Sequence, residues 1–192
     1  MIKRLYDWTM GLAETRYALL ALAFVAFIES SVFPIPPDIL MIPMILAAPR
    51  RAWLIATVAT VSSVAGGALG YLIGAQFYEQ LGAPILESLG KADAMAEFNH
   101  RFNDFGFWPV LIAGITPFPY KVITIMSGWT GLPFATFMIT SLIARGLRFF
   151  VVAGLLWKFG APIREFIEKR LGLMFTLFVV LLIGGFYVVR YL

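Results

Sequence analysis

Between Glu29 and Asp38 the chain reads Glu-Ser-Ser-Val-Phe-Pro-Ile-Pro-Pro-Asp, set between an apolar run from Tyr17 to Ile28 and another from Ile39 to Ala48. Proline has no amide hydrogen and its ring collides with the preceding helical turn, so Pro34, Pro36 and Pro37 break any helix through this stretch. Each flanking run is shorter than the roughly 17 residues that a straight membrane span needs. A break at membrane depth strands backbone amides and carbonyls, which is tolerated only against protein or a wet cavity. Glu29 and Asp38 flank the break, and a carboxylate is costly enough in hydrocarbon to mark a place where protons or substrate are handled. Two arrangements fit: a re-entrant hairpin over 17–49 that enters and leaves by one face, or a single long helix kinked at the prolines. The hairpin is preferred because both arms are short and because Arg50 and Arg51 follow at once, holding the exit on the cytoplasmic side.

Composition supplies the solvent. The chain of 192 residues is 60% hydrophobic and 14% charged, against about a quarter charged in ordinary soluble domains. The expectation is a single integral membrane domain over 1–192, all-α, with no separate soluble catalytic domain. The absence of cysteine excludes disulfides and thiolate chemistry. The net charge of +4 comes without a basic arm or an aromatic-basic motif, so no nucleic-acid partner is expected. No cofactor is expected either.

Along the chain, residues 1–16 carry Lys3, Arg4 and Arg16 with Leu5, Trp8 and Leu12 at helical spacing, which predicts an interfacial helix on the cytoplasmic side. No small-x-small cleavage site follows the apolar run, so the segment is read as mature protein rather than a signal peptide. Residues 53–78 form an uninterrupted apolar stretch and predict a transmembrane helix. Inside it Ser62, Gly66, Gly70 and Gly74 recur every fourth residue, beside a second row of Ala59, Ser63 and Gly67; small residues at this spacing let another helix approach closely. The row fits contacts within the chain or between copies in a homo-oligomer.

Residues 84–105, acidic and with Met95, Phe98, Phe102 and Phe105 at helical spacing, predict an amphipathic helix on the outer surface. His100, the single histidine, lacks the partners of a metal site, and none is expected. A second proline-broken hairpin is predicted over 107–131, around Pro117 and Pro119, followed by transmembrane helices at 134–157 and 173–190. Aligning Pro34-x-Pro36 with Pro117-x-Pro119 sets Asp38 opposite Lys121. The fold expectation is therefore two inverted repeats, each a proline-broken re-entrant hairpin plus a transmembrane helix, with an N-terminal interfacial helix and a final span. Such pairs of interrupted segments point to a transporter's binding site.

The run Glu29-x-x-x-Phe33-Pro34-x-Pro36-x-Asp38, the Gly66-x-x-x-Gly70-Tyr71-x-x-Gly74 ladder, and Thr116-Pro117-x-Pro119-Tyr120-Lys121 followed by Gly128 resemble the DedA family of membrane proteins, also called the VTT or SNARE-associated domain. Within it the chain is most similar to the YqaA-like branch, over roughly Ala18 to Trp157. The resemblance implies an inner-membrane protein of bacteria with two opposed re-entrant hairpins. It also implies a role in lipid translocation or scrambling, including undecaprenyl-phosphate recycling in some members, and dependence on the proton-motive force. Its acidic pair falls on Glu29 and Asp38. Many members carry an arginine three residues before the second hairpin's proline, where this chain has Gly114, and another just after it; Lys121 is the nearby cation here.

The residues support a compatible chemistry by themselves. Glu29 and Asp38 are the proton-coupling candidates, with Glu29, at the end of an apolar arm, as the titrating group and Asp38, at a helix start, as the ionised anchor. Lys121, Arg145 and Arg148 are the substrate-binding candidates; Arg145 and Arg148 share a helix face, where guanidinium forks hold phosphate oxygens. The expected function is a transporter or scramblase for a lipid with an anionic phosphate head group, a phospholipid or polyprenyl phosphate, with protons as the coupling ion. The alternatives are a proton-coupled small-solute or ion antiporter, and a structural membrane protein in which the same five charges form a static network. No paired histidines, Gly-x-Ser-x-Gly elbow or cysteine suggests an enzyme, and no catalytic residue is assigned.

Overall fold

In the computed structural model the described residues are 17–32, 36–88, 90, 92–116, 119–160 and 162. The expected interfacial helix at 1–16, the last span at 173–190, and Pro34 and Pro117 lie outside them. The described residues are helical, with no strand among them. The helices are α1 (Ala18–Ser31), α2 (Asp38–Ala47), α3 (Ala52–Phe77), α4 (Ala83–Ser88), α5 (Ala92–Asp104), α6 (Trp108–Ile115) and α7 (Tyr120–Trp129), then α8 (Phe134–Gly160).

The prolines act as their chemistry requires. α1 stops at Ser31 and α2 starts at Asp38 directly after Pro37, while Pro119 precedes α7. Pro43 lies inside α2, where its missing amide leaves the carbonyl one turn earlier without its helical partner. One boundary differs from the sequence expectation. Instead of ending near residue 78, the helix continues through a π turn at Tyr78–Gly82 into α4, and Gly90, at φ 65°, separates α4 from α5. The wide turn sits one residue before Pro84, whose ring would otherwise press on the carbonyl four residues back. α7 ends on Gly131 at φ 70°, with the Leu132 amide donating back to the Ser127 carbonyl at 3.0 Å, a closure that glycine permits without steric cost.

Helix directions follow from the close contacts. Gly66 faces the Phe27 carbonyl and Gly70 the Ser30 carbonyl, so α1 runs in the same direction as α3. Gly67 abuts Tyr120 and Thr124, Gly74 the Ile125 carbonyl, and Gly82 the Trp129 ring, so α7 also runs with α3. α8 runs against it, since Gly146 lies at Thr60 and Gly154 at Trp53. α2 follows α8, from the Asp38–Arg148 contact to the Gly160–Leu46 contact. α6 follows it too, from Gly114 at Ala144 to Thr116 at Arg148. α1 and α7 both make extensive contacts with α3, and both use its small-residue rows. With nearly equal apolarity in lipid and protein, such close backbone packing carries the association.

Two apolar clusters fill the ends of this bundle. One joins Leu22, Met41, Ile45, Ile55 and Phe149; the other joins Val110, Tyr120, Leu132 and Phe137. Between them, level with the middle of α3 and α8, lie both breaks. There the buried side chains turn polar.

Candidate functional site

Glu29 sits in the last turn of α1, just before the break, and Arg145 reaches it from the middle of α8. The Arg145 Nη2 donates to Glu29 Oε2 at 2.9 Å, and its Nε donates to Ser63 Oγ at 2.6 Å. Ser30 Oγ donates to the same Glu29 oxygen at 3.1 Å and lies 2.7 Å from Ser63 Oγ. The Arg145 guanidinium is stacked between the Tyr120 and Phe149 rings, 4.8 and 4.6 Å from their centroids. Tyr120 is itself held by its hydroxyl, which donates to Ser141 Oγ. Arg145 is 1% exposed, and its Nη1 is buried without a partner among the described residues. A guanidinium in this setting is matched by a carboxylate, one hydroxyl and two ring faces, the combination that makes a buried charge tolerable.

The second pair is more open. Arg148 Nη2 donates to Asp38 Oδ2 at 2.7 Å, with the side chains 17% and 21% exposed, and Arg148 Nη1 donates to the Thr116 carbonyl at 2.9 Å. One guanidinium thus holds the start of α2 and the end of α6 together. Asp38 sits in the first turn of α2, where unpaired amides favour an anion. Lys121, in the first turn of α7, donates from Nζ to the Val32 carbonyl at 3.0 Å, closing the end of α1. Thr124 Oγ1 donates to the Ser30 carbonyl at 3.0 Å. The Ser30 and Val32 carbonyls at the first break and the Thr116 carbonyl at the second are therefore covered by side chains from elsewhere in the chain.

All five charged candidates come together at this level. Arg145 and Arg148, three residues apart, serve different carboxylates rather than forming one fork. Pro36, Pro37 and Pro119 border the site without contributing a donor. Of the small row, Ser62 is partly buried, while Gly66, Gly70 and Gly74 are taken up by contacts within the chain. His100 is exposed and lies 2.8 Å from Asp104 at the far end. The sequence pattern assigns no role at the site to Ser30, Ser63, Thr124, Ser141 and Phe149, and Tyr120 enters it only as part of the motif around the second break. Its place in the second small-residue row, between Ala59 and Gly67, was the one available signal for Ser63; nothing marked Phe149.

Outside this polar centre the surface is apolar: Leu20, Phe24, Leu72, Ile139, Leu142 and Ile143 are all more than half exposed. Two helical stretches, Pro49–Ser88 and Phe134–Gly160, are long and apolar enough to cross a bilayer. Charged inside and greasy outside, the chain is a helical membrane protein. It belongs to the DedA family: residues 35–158 match the VTT domain. It is 40% identical over 169 residues to an uncharacterized protein of Haemophilus influenzae, covering 85% of this chain and 87% of that one. It is 39% identical over 168 residues to an uncharacterized protein of Histophilus somni, with the same coverage. An uncharacterized protein of Methanocaldococcus jannaschii is 27% identical over 134 residues, covering 69% of this chain and 79% of that one. No solved structure matches the chain.

Proposed function

We propose that the protein moves a lipid with an anionic phosphate head group across a bacterial inner membrane, using α1–α2 and α6–α7 as two re-entrant hairpins of opposite sense. The observation that carries this reading is the meeting of both breaks midway along α3 and α8, where Arg148 is shared between Asp38 and the Thr116 carbonyl. α1, α2 and α3 alternate in direction and α6, α7 and α8 alternate in the opposite phase, which is the pattern of inverted halves around a midplane site. A phosphate arriving at the open pair competes for Arg148 with a carboxylate and for Lys121 with a neutral carbonyl. It needs no soluble catalytic group.

In this reading Arg148 and Lys121 contact the head group, and Arg145 keeps Glu29 and the centre of the bundle in place. The test is translocation of labelled lipids in proteoliposomes, comparing anionic and zwitterionic head groups with and without a pH gradient. Movement of anionic lipid that depends on Arg148 is the expected result. Transport of a soluble anion without lipid movement would replace the reading with a small-solute antiporter, and no transport at all would leave a static network.

A further inference from the structure

The ionic count of the central site restricts which phosphate it can hold, an inference that rests on the proposed lipid-translocating role. The charged groups facing the centre are Glu29 from α1, Asp38 from α2, Lys121 from α7, and Arg145 and Arg148 from α8. α3 contributes the Ser63 hydroxyl and α6 the Thr116 carbonyl; Tyr120 contributes a phenol bonded to Ser141. The other charged groups among the described residues lie just before α3 (Arg50 and Arg51), near the end of α8 (Lys158), or between the π turn and the end of α5. Among the described residues, three cations against two carboxylates leave one surplus positive charge at this level.

That surplus is not spread evenly. Arg145 is matched by Glu29 and Arg148 by Asp38. Lys121 has no carboxylate partner among the described residues and rests on the Val32 carbonyl at 3.0 Å. A neutral carbonyl offsets part of an ammonium's desolvation and a phosphate oxygen offsets more. A ligand with one negative charge brings the centre to neutrality; a dianion overshoots and leaves a surplus of the other sign, just as costly in a low-dielectric setting.

We propose that the site is matched to a phosphate bearing a single negative charge, so that a phosphodiester lipid is taken as it stands and a phosphomonoester only in its singly protonated form. The monoester then carries its proton across with it, and the diester carries none. Proton dependence thereby becomes a property of the head group as much as of the protein, and Lys121 the residue that sets the charge of the ligand.

The experiment compares phosphatidic acid with phosphatidylglycerol in proteoliposomes of the full chain, at equal low mole fraction and without a gradient, from pH 6 to 9. The second ionisation of a phosphomonoester lies near pH ~6 in water and shifts upward at an anionic surface. Above it, the ratio of the phosphatidic acid rate to the phosphatidylglycerol rate is expected to fall about tenfold per pH unit, following the singly charged form. The ratio cancels any pH response of the protein common to both lipids. A ratio that stays constant or rises overturns the inference while leaving lipid translocation standing; failure to move either lipid overturns both. Asp38→Asn raises the surplus by one charge and is expected to flatten the fall, and an unchanged slope in an inserted, folded Asp38→Asn protein counts against the charge match. Should that variant not fold, the ratio measured on the unmodified protein decides.

Discussion

Replacing Arg145 with alanine should destabilise the protein far more than replacing Arg148. Arg145 is 1% exposed and its partner Glu29 11%, against 17% and 21% for Arg148 and Asp38. Removing one member of a buried pair strands the other charge, at about 3–5 kcal/mol. For the more open pair the expected loss is about 1–2 kcal/mol, between the values for exposed and buried pairs. In a chain of this size about 1 kcal/mol corresponds to roughly 2–4 °C. Arg145→Ala should therefore lower the unfolding midpoint of the detergent-solubilised protein by roughly 6–20 °C, and Arg148→Ala by roughly 2–8 °C, followed by intrinsic tryptophan fluorescence. The cycle is completed by Glu29→Gln with Arg145→Ala, which removes the stranded carboxylate and should recover a large part of the loss. Equal shifts for the two arginines, or a double variant whose loss is the sum of the single ones, would refute the assignment of Arg145 and Glu29 to a closed structural pair.

Other consequences are accessible to simpler measurements. Gly74→Val and Gly128→Val place side chains against the Ile125 and Tyr71 carbonyls and should each cost several degrees of thermal stability, whereas Gly146→Ala, with Thr60 Cγ2 at 3.8 Å, should change the midpoint by less than about 3 °C. Single cysteines placed beside Arg50 and beside Asp93 should react with impermeant reagents only from the cytoplasmic and only from the outer side, respectively; the same sidedness for both would remove the membrane-crossing assignment of α3. Lys121→Gln removes a charge from the end of α1, where cations contribute about 0.3–1 kcal/mol, so stability should change little while anionic-lipid movement falls at least tenfold. Asn103→Ala deletes the 2.7 Å bond from its amide to the Thr130 carbonyl, and amide exchange across 128–132 should quicken.

The broken segments were legible because proline leaves no latitude: α1 ends and α2 begins where the sequence demanded. The glycine row was equally plain, since nothing but a close neighbour explains it. Which carboxylate takes which arginine was not legible. The partners are separated by 116 residues for Glu29 and Arg145 and by 110 for Asp38 and Arg148, and a three-residue spacing along α8 is compatible with one shared anion or with two separate pairs. The choice was made by burial and by Phe149, whose ring lies against Arg145 and whose role depends on helix packing. The continuation of α3 into α4 was hidden for a different reason. Pro84 signals a stop by itself, and only the widened turn ahead of it lets the helix pass.

The contacts along α3 also act as a detent. Phe27 and Ile125 carbonyls are seated against Gly66 and Gly74, and the Tyr71 carbonyl of α3 is seated in return against Gly128 of α7. A slide of one residue, about 1.5 Å along the axis, would bring Ala65, Ala75 or Trp129 toward a notch that has no room for a methyl group. α1, α3 and α7 are thus indexed to one another like parts of a keyed shaft, with axial travel blocked in both directions. In the proposed lipid movement, a displacement that exposes the central charges to one side and then the other would be taken up by α2, α6 and α8, which are tied to the frame at this level through Arg145 and Arg148.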